Sequence, residues 1–481
     1  MVKTMKNKIV EDTKLLYTKN PDFVVREIEL TKNKFIYILF LESVSSAAKI
    51  NDFVLKNLIT LNRQSITPKN LNDFLAAPNV TEIKDKSEID FYISNGFAII
   101  IEDKTIIALE TKADLFRGIS EPNSEKSIYG PKDSFNESIQ TNMGLIKRRI
   151  KSSDLKTENM TIGRTSKTIV NVLYMGGIVE MDLVKTALHH LEKIDIDAIY
   201  DSGNIADFIA GEKKTAFPTI ASTERPDRVA QSLMEGKVVI LVDSSPQALI
   251  LPSFFVDFIN PNTDSYNKNN NINFVKLLRF FCFFLTIIIP GLFVAVVAYN
   301  PEIIPTSLLT NISSQVESVP FPVVVEALIM ILVCEILRES DLRFPNNYGS
   351  AISIMGALVL GEAAVSAGIV SPIMIIVMAF TYITSLIFTE LSMVNAIRHF
   401  RWFFLIAASV LGIYGVILTF IYFLIHITNV DSVGYPYFYG IAPFDFTYFK
   451  KTLMNRPINR DKKRSKILAK KNQTKQRRNT L

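Results

Sequence analysis

Residues 280–299 read FFCFFLTIIIPGLFVAVVAY and contain no charged side chain. A helix needs about 20 apolar residues to cross the hydrocarbon core of a bilayer, which is roughly 30 Å thick. Pro290 and Gly291 would break a soluble helix, but membrane helices tolerate both where neighbouring helices satisfy the freed backbone groups. This stretch therefore predicts a membrane-spanning helix, and we expect an α-helical integral membrane domain over residues 271–449.

Lys and Arg side chains predict the orientation of this domain, because cationic loops stay on the cytoplasmic side. They fall at four stations, which are Lys276 with Arg279, Arg338 with Arg343, Arg398 with Arg401, and the tail from Lys450. If every station is cytoplasmic, residues 280–299, 350–367 and 402–427 run outward, and residues 322–337 and 373–389 return. The last return is a problem, because residues 433–449 contain two Pro, two Gly and an Asp. Either this stretch is interfacial or re-entrant, or an earlier segment is a half-span.

Acidic side chains inside these segments are candidates for function, because a carboxylate at mid-membrane is costly unless it faces protein, water or an ion. Glu362 lies within GALVLGEAAVSAGIVSP (356–372). Small residues such as Gly356 and Gly361 allow helices to approach closely. We predict that Glu362 lines a pore or cavity, the alternative being a protonated residue that packing satisfies.

Glu326 and Glu335 are the other two candidate pore residues. Glu326 follows two prolines, so a cap at the positive end of a helix is as well supported as a functional role. Glu335 stands near the second basic station, Arg338 and Arg343, which favours a structural salt bridge.

Residues 1–270 have the pattern of a cytosolic α/β region, which we divide into two subdomains at 1–160 and 161–270. Apolar runs at 97–101 and 105–110 predict a β-hairpin, and those beginning at 169 and 238 predict buried strands. Residues 181–194 place apolar side chains at helical spacing. Alternating strands and helices are typical of an α/β fold.

Composition excludes several classes of protein. The two cysteines, Cys282 and Cys334, lie in apolar runs, and four His residues give no metal-ligand spacing. Patterns for phosphate loops, nucleophile elbows and zinc proteases are missing, so we predict no enzyme, no metal and no cofactor. The start of the chain has no apolar core, which argues against a cleaved signal peptide and places both termini in the cytoplasm.

The tail at 450–481 carries thirteen Lys or Arg against one Asp. Such a tail after a membrane segment favours contact with anionic lipid over nucleic acid.

Six ordered stretches carry a resemblance to a known family. They are EPNSEKSIYGPKDSFNESIQTNMGLIKRRI (121–150), IGRTSKT (162–168), DSGNIADFI (201–209), FPTIASTERPDRVAQSLMEGKVVILVDSSPQALILPSFF (217–255), PFPVVVEALIMILVCEILRES (320–340) and SAISIMGALVLGEAAVSAGIVSPIMIIV (350–377). The chain resembles the A subunit of spore germinant receptors from about residue 30 to about residue 450. The cytosolic motif residues singled out on this basis are Glu121, Pro122, Gly130, Pro131, Arg148, Arg149, Glu224, Arg225, Pro226 and Asp227.

The chain departs from the family pattern at two places. The family often has an acidic-Asp-Tyr-Tyr motif where this chain has residues 263–266, TDSY. It commonly has three Arg where this chain has Lys147, Arg148 and Arg149.

The resemblance implies a multi-pass protein of the spore inner membrane that assembles with a transporter-like B subunit and a lipoprotein C subunit. It further implies that A subunits form homo-oligomers and an ion-conducting path that opens in response to nutrients and triggers germination. Two alternatives stay open: a non-conducting scaffold subunit of the receptor, and a stage V sporulation A-type paralogue that acts in ion release.

Overall fold

The computed structural model describes residues 8–31, 34–59, 75, 77, 79–102, 105–114, 122, 125, 130–211, 215–261, 264, 266, 271–343, 361–453, 462–470 and 472–475. The chain divides into two compact units. One unit comprises residues 1–212, 220–253 and 456–481 and holds both large sheets. The other comprises residues 213–219 and 254–455 and is helical.

The first sheet has five strands in the order β1-β2-β4-β5-β3, every neighbouring pair antiparallel. The predicted hairpin is confirmed, since β4 pairs with β5 from Phe97 with Glu110 to Glu102 with Thr105. Successive side chains of a strand point to opposite faces. Here Ile100 packs in one buried cluster and Ile99 and Ile101 in another, so both faces of the sheet are covered. The elements are β1 (Phe23–Thr31), β2 (Lys34–Leu41), β3 (Val80–Glu82), β4 (Phe97–Glu102), β5 (Thr105–Glu110), α1 (Lys8–Leu16), α2 (Ala47–Ile50), which continues into a π-helical turn (Asn51–Leu55), and α3 (Ile89–Ser94).

The second sheet has five strands in the order β6-β7-β9-β10-β8 and is also antiparallel throughout. The strands predicted from residues 169 and 238 and the helix predicted from residue 181 are confirmed. The boundary predicted between residues 160 and 161 falls inside β6, which pairs with β7 over its whole length, so the second sheet begins before that point. The elements are β6 (Leu155–Ile162), β7 (Thr168–Met175), β8 (Ala221–Thr223), β9 (Val238–Val242), β10 (Ala248–Leu251), α4 (Ile139–Arg149), α5 (Met181–Glu192), α6 (Ser202–Ala210) and α7 (Pro226–Met234).

The helical unit contains the longest helices of the described chain. Its elements are α8 (Phe255–Ile259), α9 (Asn271–Tyr299), α10 (Thr306–Glu317), α11 (Val323–Arg343), α12 (Pro372–Ser385), α13 (Leu391–Asn429), α14 (Phe446–Leu453), two short paired strands β11 (Asp431–Ser432) and β12 (Tyr435–Pro436), and a 3-10 turn (Pro301–Ile303). Residues 361–366 are also helical. The stretch 433–449 contains β12, turns and the start of α14 rather than a spanning helix.

Two helices of the described chain are long and apolar enough to cross a membrane. They are residues 272–299, with a mean hydropathy of 2.7, and α13, with a mean hydropathy of 2.4. Only 44% and 39% of their most apolar stretches are buried within the chain. A core helix of a soluble protein is mostly buried, so this exposure favours contact with lipid or with other chains.

Helix α13 reverses direction at Gly412. The rings of Phe400 and Phe423 have their centroids 5.0 Å apart, whereas 23 residues of straight helix would separate them by about 35 Å. Gly412 has φ 60° and ψ −137°, a conformation that only glycine adopts readily. The prediction of one outward span at 402–427 is therefore wrong, because the chain folds back as arm 1 (391–411) and arm 2 (413–429).

Ring contacts fix how the arms run along α9. Phe283, in the first half of α9, lies beside Phe388, just before arm 1, and beside Phe423 of arm 2. At the other end of α9, the hydroxyl of Tyr299 donates a hydrogen bond to the carbonyl of Ser409 near the bend. Arm 1 thus runs parallel to α9, and arm 2 runs antiparallel to it.

Candidate functional site

The motif ERPD (224–227) forms a buried ion pair at the start of α7. Arg225 donates from Nε to Asp227 Oδ1 at 3.0 Å and from Nη2 to Asp227 Oδ2 at 2.7 Å. The two residues are 2% and 6% exposed. Pro226 is the first residue of α7, where its fixed φ and missing N–H suit the helix start. The motif therefore positions one guanidinium in the interior of the unit.

This ion pair is joined to the long motif at residues 121–150 by hydrogen bonds. Arg225 Nη2 also donates to the carbonyl of Pro131 at 3.4 Å. The carbonyl of Glu224 accepts from the backbone N–H of Phe135 at 2.8 Å and from the hydroxyl of Ser134 at 3.2 Å. Two stretches some 90 residues apart in sequence thus form one hydrogen-bonded cluster.

Sequence reasoning missed Glu125, which has a larger part in this cluster than most of the residues singled out. Its carboxylate accepts from Thr223 Oγ1 at 2.8 Å and pairs with Arg228 Nη1 at 3.0 Å. The basic helix α4 adds a bidentate pair from Arg149 Nη2 to Asp133, at 2.6 and 2.7 Å. Both motifs contain acidic and basic residues in otherwise polar sequence. Their opposite charges could have suggested that the two motifs contact each other.

The remaining motif residues differ in how exposed they are to solvent. Pro122 is buried, whereas Arg148 is exposed. Gly130 has φ 101°, which explains glycine at this position, since other residues are strained there. Glu121 lies outside the described residues.

Lys147 is the most buried of the three cations in α4. Its Nζ binds both carboxylate oxygens of Asp22, at 2.5 and 2.6 Å, and Asp22 precedes β1 of the first sheet. Burial lowers the pKa of Lys147, and the charge of Asp22 opposes that effect. Because α4 packs against β9 of the second sheet and Asp22 directly precedes β1 of the first, this pair ties the two sheets of the unit together.

This cluster is built to hold structure. Its cations Arg149, Arg225 and Arg228 each form an ion pair with a carboxylate of the cluster. Within the described residues no group of three or more His, Cys, Asp or Glu side chains has the arrangement to hold a metal ion.

In the helical unit, Glu326 lies in the first turn of α11 and is 0% exposed. Its Oε2 accepts hydrogen bonds from the backbone N–H of Ser371 at 2.8 Å and from the Ser371 hydroxyl at 2.7 Å. Glu326 therefore caps the start of another helix, α12, in addition to lying near the start of its own.

Glu335 of α11 forms ion pairs, but its partners differ from those expected. It binds Arg398 Nε at 2.7 Å and Arg401 Nη2, both on arm 1 of α13. Arg338 instead donates to the carbonyl of Ser385 at 3.4 Å. Arg338, Arg398 and Arg401 lie within helices rather than between them. From these positions, Arg398 and Arg401 reach Glu335, and Arg338 reaches the end of α12.

Glu362 lies in the helical stretch 361–366 and is exposed on the single chain. A side chain placed on Gly361 would come no nearer than 3.9 Å to Ile375, so Gly361 is not a point of close approach within the chain. Gly356 lies outside the described residues. The pore role of Glu362 stays a prediction.

Close helix approach occurs instead at Gly291 of α9. A Cβ placed there would stand 2.8 Å from the carbonyl oxygen of Phe404 in arm 1, so only glycine allows this contact. Sequence reasoning noted Gly291 as a tolerated helix breaker and missed its packing role.

Phe217, the first residue of the motif FPTIASTERPDRV, lies in an aromatic cluster of the helical unit. It is 2% exposed, and its ring centroid is 5.2 Å from that of Phe400 and 5.9 Å from that of Tyr437. Phe283, Phe423 and His426 complete the cluster. The boundary between the helical unit and the sheet-bearing unit falls between residues 219 and 220, so the chain passes from one unit to the other within this motif.

The C-terminal tail is partly folded onto the unit that holds the sheets. Arg464 donates from Nε to the carbonyl of Met234, at the end of α7, at 2.7 Å, and from Nη1 to the carbonyl of Thr474 at 2.7 Å. Lys475 pairs with Glu235 at 2.9 Å, and Leu468 is 2% exposed. We call the described residues 462–470 and 472–475 the docked segment, because their apolar and cationic side chains have partners on this unit. Contact of the basic tail with anionic lipid stays a prediction.

Comparison with known proteins gives consistent matches. The family model described as Bacillus/Clostridium GerA spore germination protein matches residues 11–467. "Spore germination protein KA" of Bacillus subtilis is 36% identical over 98% of this chain and 88% of its own length. "Spore germination protein GerLA" of Bacillus cereus is 32% identical over 94% of this chain and 93% of its own length. The crystal structure of the N-terminal domain of the A subunit of the Bacillus megaterium spore germinant receptor GerK3 matches with 30% identity, covering 54% of this chain and all of that one, at a TM-score of 0.40.

Proposed function

Because the chain belongs to the GerA family of Bacillus/Clostridium spore germination proteins, we propose that it is the A subunit of a nutrient-responsive germinant receptor. In this proposal it has no enzymatic activity. It spans the spore inner membrane several times and, as a homo-oligomer, forms the cation path whose opening triggers germination. The family match over residues 11–467 is the observation that carries the assignment to germination.

The helical unit supports a multi-pass arrangement with both termini in the cytoplasm. Helix α9 leads outward from Lys276 and Arg279, and arm 1 of α13 runs parallel to it. Arm 2 brings the chain back, so residues 433–449 need not cross the membrane. Helices α11 and α12 run parallel to each other, because Glu326 meets Ser371 at their starts and Arg338 meets Ser385 near their ends. Both are inward in this topology.

The stretch 350–367 is the proposed pore segment. In its described part, 361–367, Glu362 is exposed on the single chain together with Ala363 and Ser366. Ile376, Phe380 and Ile383 of α12 are also exposed, at spacings that place them on one helix face. Unpaired surfaces of this kind in a bilayer suit packing of identical chains around a shared axis.

The assembly proposed for this chain includes a transporter-like B subunit and a lipoprotein C subunit. Lipid contact through the basic tail is also proposed, now through those cations that the docked segment leaves exposed, such as Lys462, Lys463 and Lys466. Nucleic acid is not a proposed partner.

The test is cation flux through liposomes that contain the purified receptor complex. We expect nutrient-dependent flux, and a clear loss of cation selectivity or conductance in Glu362→Ala and Glu362→Gln. The matched control is Glu302→Gln in the exposed turn Pro301–Ile303. Unchanged flux in both Glu362 variants would remove this residue from the path, and a monomeric A subunit in the assembled complex would remove the pore.

A scaffold role is the second candidate, and one observation favours it. Two of the three predicted intramembrane acids, Glu326 and Glu335, are engaged with protein groups of the same chain rather than with a cavity. A scaffold would leave flux intact in every Glu362 variant while loss of the chain abolished receptor assembly. A stage V sporulation A-type role would leave germination intact without B and C partners.

A further inference from the structure

Three arginine side chains lie around one carboxylate where α11, α12 and arm 1 of α13 meet in the helical unit. Glu335 of α11 forms ion pairs with Arg398 and Arg401 of arm 1. Arg338 follows Glu335 by one turn of α11 and reaches the end of α12. Within the described chain, Glu335 is the only carboxylate that pairs with these arginines. The cluster therefore carries an excess of positive charge.

Glu335 does not satisfy the guanidinium groups around it. Arg401 is 4% exposed, and its Nε is buried without a hydrogen-bond partner among the described residues. Arg398 Nε lies 2.7 Å from Glu335 Oε2, but the two atoms are not aligned for a hydrogen bond. Arg338 donates to a carbonyl group, that of Ser385. Because a guanidinium has five N–H donors and a buried charge is unfavourable unless it is compensated, this geometry suits a second anion.

The accessible side of the cluster lies near the inner end of the helices in the proposed topology. Ser385 is the last residue of α12, and α13 begins after a short turn at Leu391. Arg398 lies about 10 Å further along the axis of α13. Helical side chains lean toward the start of their helix, and long arginine side chains extend to the membrane surface. Since 31% of the Arg398 side chain is exposed, its guanidinium can reach the level of the lipid headgroups.

Apolar side chains continue from the cluster toward the outer side of the membrane. Leu332 and Ile336 of α11 are 55% and 57% exposed, and their spacing of four positions places them on one helix face. Helix α11 runs inward in the proposed topology, so both residues lie on the outer side of Arg338. Cations near the inner surface, followed by exposed apolar side chains, match the phosphate and the acyl chains of a phospholipid.

We propose that Arg338, Arg398 and Arg401 form a site for a phosphate group, which an anionic phospholipid of the inner leaflet supplies. Arg338 and Arg398 donate to the phosphate oxygens, while Arg401 adds its charge and keeps its bond to Glu335. Arginine suits this role because its planar guanidinium binds phosphate through two parallel N–H groups. The site uses none of the residues of the basic tail. The inference rests on the multi-pass topology of the proposed function and is independent of conduction.

The test titrates the full-length protein in a neutral detergent with short-chain lipids, with unfolding temperature as the readout. The probes are dioctanoyl phosphatidylglycerol, dioctanoyl phosphatidylcholine and inorganic phosphate. We expect phosphatidylglycerol to stabilise the wild type at lower concentration than phosphatidylcholine. In Arg398→Gln, the concentration of phosphatidylglycerol for half-maximal stabilisation should rise by about tenfold or more, the effect of one lost hydrogen bond between charged groups. Arg26→Gln, at an exposed position of β1, is the matched control and should titrate as the wild type.

A second readout separates phosphate binding from a purely structural ion pair. Arg398→Gln leaves Glu335 paired with Arg401 and brings the cluster closer to neutrality. Without lipid, this variant should therefore unfold at or above the wild-type temperature, whereas loss of a stabilising ion pair would lower that temperature. If Arg398→Gln does not fold, Arg338→Gln takes its place with the same expectations, since it leaves both ion pairs of Glu335 intact.

The outcomes divide as follows between the site, the source of the phosphate and the topology. Equal potency of the two lipids on the wild type, or an equal loss in Arg26→Gln, would overturn the site. A response to inorganic phosphate that equals the response to phosphatidylglycerol and is lost in Arg398→Gln would keep the site and assign it to free phosphate. Failure of both lipids to stabilise any variant would overturn the site together with the multi-pass topology.

Discussion

At the scale of single residues, buried ion pairs decide which motif positions tolerate change. Arg225 and Asp227 sit in the interior and satisfy each other, while Arg164 pairs with Asp195 and Asp197 at the surface with a side chain that is 66% exposed. Removing one partner of a buried ion pair leaves the other charge buried and uncompensated. In an exposed pair the remaining charge is solvated by water instead. The same residue type thus has very different importance at the two places.

Replacing Arg225 by Ala should destabilise the full-length protein by about 3–5 kcal/mol, because the buried carboxylate of Asp227 loses the charge that compensates it and two hydrogen bonds. Arg164→Ala should change stability by about 0–1 kcal/mol. Thermal unfolding of the purified protein in detergent, followed by circular dichroism, measures both. Equal effects of the two substitutions would contradict the structural role given to the ERPD motif.

Asp201 caps α6 and introduces a pH dependence. Its carboxylate accepts from the backbone N–H of Gly203 at 3.0 Å and from the Ser245 hydroxyl. Burial acts to raise the pKa of Asp201, but the hydrogen bonds from Ser245, Gly203 and Ser202 prevail and lower it from 3.8. The charged form is the one that caps the helix, so the contribution is complete above 3.8 and is lost as pH falls through the lowered pKa.

We expect Asp201→Ala to cost about 1 kcal/mol at neutral pH and less in acid. Asp201→Asn should keep the cap and show no such loss in acid, because Asn does not titrate. Hydrogen exchange of the backbone amides in 202–206, compared at neutral and acidic pH, reports the cap directly. Equal acid sensitivity of the wild type and the Asn variant would rule out titration of Asp201 as the cause.

At the scale of secondary-structure elements, the sequence predicted strands better than it predicted the helical hairpin. Residues 97–101 and 238–242 are continuous apolar runs because each strand is covered on both faces, and such runs bounded by polar residues are readable from sequence. Residues 402–425, which span the bend between arms 1 and 2, also form a run without a charged side chain, and the bend lies within its sequence LGIYG at 411–415. Glycine is common in membrane helices, so nothing local marked Gly412 as a reversal.

The candidate site could be predicted only in part, for a related reason. The acids Glu326 and Glu335 were found because a carboxylate in an apolar run stands out. Their partners Ser371 and Arg401 could not be found, because they lie 45 and 66 positions away and are brought close only by helix packing. Pairing over such distances follows from tertiary structure and leaves no periodicity in the sequence.

Gly412→Ala should prevent the reversal. An L-residue is strained at φ 60° and ψ −137°, by about 1–3 kcal/mol, and the new Cβ would stand 3.0 Å from the Tyr299 Cβ. We expect a large fall in the yield of folded protein and a lower unfolding temperature. Gly177→Ala, where a Cβ meets no atom within 4 Å, is the control and should behave as wild type. A normal unfolding temperature for the Gly412 variant would show that the chain tolerates a straight helix here.

At the scale of the whole molecule, the chain enters and leaves each unit more than once. The helical unit takes up residues 213–219 from within the sheet-bearing unit, and the sheet-bearing unit takes back residues from 456 onward. Phe217, in residues 213–219, packs in the aromatic cluster of the helical unit. Arg464, in residues 456–481, donates a hydrogen bond to Met234 of the sheet-bearing unit. Neither unit is therefore a contiguous piece of sequence.

Arg464→Ala should release the docked segment from the end of α7. The lost bonds join a guanidinium to carbonyl groups, and such bonds contribute about 1.5–3 kcal/mol each. We expect faster cleavage by trypsin after Lys466 and Lys470, followed by mass spectrometry, with the membrane helices unaffected. Exposed Lys466→Ala is the matched substitution for a lost charge, scored by cleavage after Lys470 alone. Wild-type protection in Arg464→Ala would mean that the apolar contacts of Leu468 suffice.

Because the docked segment lies near the end of the sequence, it is among the last parts of the protein to be synthesised. Both sheets leave the ribosome before any of the long apolar helices exist, whereas Leu468 and Arg464 emerge after all of them. The surface beside Gly236, where a Cβ would stand 3.0 Å from the carbonyl oxygen of Leu468, is therefore covered last.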